Sequence, residues 1–118
     1  MSNETTSIGS IHISPRAIAT IAFHAARSTY GLVGFTSKNL VNGLTKVLVK
    51  DPTHGVEVSY DGKDITIDLY IIVEYGTNVK SIAASLVSAV RYQVERTLGM
   101  PVKEVNVHVQ GLRISDID

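Results

Sequence analysis

Four histidines, eleven carboxylates and no cysteine make up the reactive inventory of this chain, and their spacing limits what they could do. His12, His24, His54 and His108 show none of the short intervals that set two metal ligands on one helix face or hairpin, so no metal site is expected. His12 and His108 would become neighbours only if the first and last strands pair. General acid–base work needs two carboxyl groups in contrasting environments, yet the acids occur singly, on outward strand positions or in turns such as Asp61 and Asp64. They read as solubilising charges. Ser85 and Ser88 fall on a helix with no histidine near in sequence, and neither a Gly-x-Ser-x-Gly elbow nor a phosphate-binding glycine loop occurs. The lack of cysteine removes disulfides, thiolate ligands and a sulfur nucleophile. No catalytic, metal or cofactor residue is therefore assigned, no cofactor is expected, and the chain is expected not to be an enzyme.

One motif could carry binding. Gly31, Leu32, Val33 and Gly34, set between two expected helices, have the form of the loop with which KH domains clamp single-stranded nucleic acid. Its two variable residues are apolar, and the neighbouring cations are few, Arg27 and Lys38 among them. Eleven Lys plus Arg balance eleven Asp plus Glu, whereas nucleic-acid binding draws much of its affinity from cations. The KH-like module is therefore the alternative reading and nucleic acid the less favoured partner. The competing reading is a glycine turn that seats Val33 and Phe35 in the core.

The elements that position these residues follow from periodicity and punctuation. Ile8–Ile13 alternates as a short strand and stops at Ser14-Pro15, a serine N-cap followed by proline at the first helical position. Ile18, Ile21, Ala22 and Ala25 then fall at helical spacing up to about Ser28–Gly31. A second, shorter helix is expected from about Ser37, with Leu40, Val41, Leu44, Val47 and Leu48 on one side and Asp51-Pro52 closing it. Asp61-Gly62 fits a two-residue hairpin turn between Val56–Tyr60 and Asp64–Tyr75, which would pair Tyr60 with Lys63, Val58 with Ile65 and Val56 with Ile67. After Gly76, a long helix carries Val79, Ile82, Ala83, Leu86, Val87, Val90, Val94 and Leu98 on one side and stops at Gly99 and Pro101. Val102–Gln110 alternates with Val105, Val107 and Val109 inward. The apolar parity then switches at Gly111, which predicts a β-bulge there.

This order suits an α+β, two-layer domain: a small, mostly antiparallel sheet with helices packed on one face. Residues 1–7 read as a flexible N-terminal tail without a secretory signal, and residues 8–118 as a single domain. No apolar run approaches the length of a membrane span, so direct insertion is not expected. The other face of the sheet would carry Thr66, Asp68, Tyr70, Ile72, Glu74, Asn106 and His108. Tyr70 and Ile72 interrupt that polar series side by side, which makes the face a candidate interface. The expected contact residues are Tyr70, Ile72, Asn106 and His108, joined by Leu32, Val33 and Phe35 of the glycine turn.

Three stretches together resemble the hallmark segments of the alkaline shock (Gls24-type general stress) protein family: Gly31–Phe35 running on to Asn39–Leu44, Asp68–Gly76, and Val105–Ile114. Order and spacing match over about Ile8 to Ile114. The resemblance implies a small bacterial protein tied to cell-envelope stress, with no catalytic residues to carry over. It further implies a cytoplasmic module that forms homo-oligomers and docks on a protein partner. That partner would be a small membrane anchor protein, which would bring the module to the membrane indirectly, or a fatty-acid-kinase-like protein.

Overall fold

The computed structural model describes residues 12–36 and 55–114. Helix α1 (Pro15–Ala26) starts where the sequence places it: the Ser14 side chain accepts from the backbone N–H of Ala17 at 3.1 Å, and Pro15 needs no hydrogen-bond partner at the first turn. It buries Ile18, Ala19, Ala22 and Ala26. Small residues at three of those four positions let the helix lie close to its neighbours. Helix α2 (Val79–Leu98) is capped by Asn78, ends on a left-handed Gly99, and buries Ile82, Leu86, Val90 and Val94 along one stripe.

Four strands form the described sheet: β1 (Leu32–Phe35), β2 (Val56–Tyr60), β3 (Ile65–Glu74) and β4 (Glu104–Arg113). Strand β3 is central. β1 and β2 both run antiparallel to it and follow one another along the same edge, β2 against Ile65–Leu69 and β1 against Ile71–Val73. At the joint between them, Tyr70 donates its N–H to the Gly55 carbonyl and accepts from the Thr36 N–H, each at 2.9 Å. The two strand ends are so close there that a Cβ on Gly55, at φ +83°, would stand 2.7 Å from the Thr36 carbonyl oxygen. On the other edge β4 runs parallel to β3, with α2 as the crossover.

Both helices pack on one face, making the domain an α+β, two-layer structure. Ile65, Ile67, Leu69, Ile71 and Val73 of β3 are fully buried beneath them and form the centre of the core. The expected bulge is present: Ile71 pairs with Val109 but Ile72 pairs with Gly111, leaving Gln110 as the extra residue.

Several expectations are corrected. The hairpin is shifted by two residues, so that Tyr60 faces Ile65, Val58 faces Ile67 and Val56 faces Leu69. The Asp61 carboxylate explains the longer loop, since its Oδ1 accepts from the N–H groups of Lys63 at 2.9 Å and Asp64 at 2.8 Å. A shift by two keeps every side chain on its own face, so the hydrophobic pattern could not detect it. Gly31–Gly34 is not a loop between helices: Leu32 to Phe35 is strand β1, with Val33 as its bulged residue. Val109 points to the helix side yet is 37% exposed, because β4 is at the sheet edge. His12 and Ile13 carry no strand. The rest of that strand, the tail at 1–7 and the second helix lie outside the described residues.

Candidate interaction face

The uncovered face of the sheet is set by the alternation that buries the odd residues of β3. Thr66, Asp68, Tyr70, Ile72 and Glu74 point away from the helices, beside Glu104, Asn106 and His108 of β4. Parallel pairing sets Asp68 next to Asn106 and Tyr70 next to His108. Two of these side chains converge on one oxygen atom, Oδ1 of Asp68: His108 Nε2 lies 3.0 Å from it, and Asn106 Nδ2 donates to it at 3.1 Å. A carboxylate oxygen can only accept, so Nε2 is the nitrogen that carries the proton. The His108 ring stacks on Tyr70, with centroids 4.6 Å apart and planes 11° from parallel. The His108 and Asp68 side chains in this cluster are partly exposed, while Tyr70 beneath the imidazole is buried.

Beside it stands Ile72. Its register partners are Gly34 on β1 and Gly111 on β4. Neither glycine has the positive φ that would demand one, and a Cβ at Gly34 would meet nothing within 4 Å. Glycine inside a strand costs stability, and among the described residues nothing lies close enough to Gly34 to require one.

Of the seven residues expected at the interface, the structure brings Tyr70, Ile72, Asn106 and His108 together on this face. Leu32 and Phe35 do not join them, whereas Val33 is bulged out beside Gly34, opposite Ile72. Phe35 is buried against Phe23, with ring centroids 5.1 Å apart, and Leu32 packs against the core from the helix side. Val33 is exposed because the bulge in β1 turns it out of the ladder. Leu32 to Gly34 is part of a sheet and so departs from the loop between helices that the KH-like reading expected. The sequence reading missed the role of Asp68 as the shared acceptor and of Gly34 and Gly111 as neighbours of Ile72; strand register was the signal needed for both. His108 meets Asp68 and Tyr70, not His12. Among the described residues no three His, Asp or Glu side chains gather where they could hold a metal ion. Likewise, no helix among them is long and apolar enough to cross a membrane.

The model of the alkaline shock protein 23 family, described as having a cell envelope-related function, matches residues 3–114. The chain belongs to this family. It is 43% identical over 113 residues to the uncharacterized protein YloU of Bacillus subtilis, covering 94% of each chain. It is 30% identical over 115 residues to YqhY of the same organism, covering 96% of this chain and 84% of that one. Similarity also extends to the stress response regulator gls24 homolog of Streptococcus pyogenes, at 28% identity over 109 residues, 92% of this chain and 61% of that protein. Among solved structures, the MamM C-terminal domain in its copper form aligns with a TM-score of 0.50 at 20% identity, covering 86% of this chain and 90% of that one. That likeness speaks for the fold alone.

Proposed function

We propose that this domain is a non-enzymatic interaction module of the cell-envelope stress response, which self-associates and docks on a protein partner through the uncovered sheet face. The observation that carries this reading is Ile72, an aliphatic side chain between two strand glycines and next to the Tyr70–His108 stack. Aromatic anchors flanked by aliphatic surface are enriched at the centres of protein contacts. The family's cell envelope-related description supports the setting, and a cytoplasmic module could reach the membrane through a small anchoring protein. A fatty-acid-kinase-like protein is the other partner the family resemblance offers.

The test is Ile72→Lys, followed by light scattering and thermal melting. The expected result is a lower mass in solution with the melting temperature nearly unchanged, because the substitution sits outside the core. An unchanged mass would exclude this face from self-association. Unfolding would mean that Ile72 is a core residue.

A further inference from the structure

The outer edge of β4 has no partner strand among the described residues, although the strand is ten residues long. Edges of that length are usually shortened, covered or studded with inward charges. Here the side chains on its helix side stay partly open instead: Val109 is 37% exposed and Leu112 54%. The direction of the backbone groups can be read from the ladder. Tyr70 gives both its N–H and its carbonyl to the β1–β2 edge, so its partner His108 turns its own groups toward β3 and the residues alternating with it, Val105, Val107 and Val109, turn theirs outward. Past the bulge, Arg113 accepts from Tyr75, the residue after β3, which turns Leu112 outward as well.

Resting on the reading that the domain self-associates, we infer that two copies pair antiparallel along β4, about a two-fold axis at His108, and so join their sheets into one. Pairing this strand with itself about that axis gives the following register. His108 faces His108 of the second copy, and Val107 faces its Val109. Beyond that point the extra residue Gln110 shifts the pairing by one, so that Gln110 and Gly111 together oppose Asn106. Val105 then faces Leu112, and Glu104 faces Arg113. Each pair lies on one face: the helix-side pairs are apolar, and on the uncovered side Glu104 meets the opposite charge of Arg113. Val105, Val107, Val109 and Leu112 all direct their backbone groups into the new ladder. Without the bulge, Glu104 would oppose Leu112 and the match would fail. The bulge therefore serves the self-complementarity of the edge, which is what an isologous contact requires. The two uncovered faces would then lie side by side, each with its Ile72.

Because the chain has no cysteine, a single introduced thiol reports the register directly. Facing residues that are not hydrogen-bonded have Cα atoms about 4.5 Å apart, within the span a disulfide bridges. His108→Cys should oxidise to a covalent dimer in the otherwise unaltered full chain. Glu104→Cys alone should not, as its two copies would lie more than ~20 Å apart at about 3.4 Å per residue. Glu104→Cys combined with Arg113→Cys should link 104 to 113 between chains, identified by peptide mass spectrometry. Should His108→Cys disturb the fold, charge exchange gives an independent measure: Glu104→Arg should weaken the dimer by about tenfold and addition of Arg113→Glu restore it. Failure of His108→Cys to link and of the exchange to restore, in a protein that scattering shows to be oligomeric, overturns the edge pairing while self-association stands. The same follows if Glu104→Cys links as readily, or if a segment of the same chain proves to occupy the edge. A monomeric parent overturns both. Added to His108→Cys, Ile72→Lys should leave the 108–108 link intact, the lower mass expected of Ile72→Lys being that of the edge-paired dimer once contacts between uncovered faces are lost.

Discussion

Strand β3 carries two surfaces built on opposite principles. On its covered side five consecutive odd positions hold Ile, Ile, Leu, Ile and Val, all without solvent exposure; on its uncovered side the even positions hold Thr, Asp, Tyr, Ile and Glu. The covered side is chosen by volume and tolerates exchange among aliphatic residues of similar size. The uncovered side is chosen by partners: Asp68 takes two donors, Tyr70 takes a ring, and Ile72 takes nothing from its glycine neighbours. One strand thus shows both how this domain holds together and where it is available to others.

The sharpest way to break this contrast is to truncate one residue on each side. Leu69→Ala should lower unfolding free energy by about 3 kcal/mol, while Ile72→Ala should cost less than about 1 kcal/mol. Chemical denaturation of both variants measures this, and equal losses would erase the distinction between the faces. Tyr70→Ala tests the intermediate case, for Tyr70 lies on the uncovered side and yet is only 9% exposed. Its expected cost is about 1–2 kcal/mol. A double-mutant cycle with His108→Ala should show coupling of at least ~0.5 kcal/mol from the stacked rings, and additive losses would mean that the stack contributes only burial.

The smallest effect lies at the end of the hairpin. The N–H groups of Asp64 and, next, Lys63 hold the Asp61 carboxyl below its ordinary pKa. A group depressed in the folded state stabilises above its unfolded pKa and loses that contribution as pH falls through the folded value. The stability difference between the parent and Asp61→Asn should therefore be complete at neutral pH and close as the pH drops below about 4. A difference independent of pH would show that the carboxylate charge does not help to set the four-residue loop.

Much of this architecture is legible in the chain. Ser14-Pro15, Asn78 and Gly99 mark helix ends through local hydrogen bonding and backbone freedom, and alternation along β3 assigns its faces, because these signals act within a few residues of one another. The Gly111 bulge is legible for the same reason, as a change of parity along one strand. The family, too, is readable from three segments in order. Register, by contrast, was decided only in three dimensions. A hairpin displaced by two residues preserves every face, so only the Asp61 side chain's capture of two backbone donors distinguishes the real loop from the shorter one. Gly31–Phe35 is ambiguous between a turn and a strand until β3 supplies an edge for it, which moves Leu32 and Phe35 from the interface into the core. The same long-range pairing brings Asp68 to His108 across 40 positions of sequence and sets Gly34 and Gly111 on either side of Ile72. Sequence patterns record which way a side chain faces; its neighbours across the sheet depend on pairing between distant segments, which only the folded chain fixes.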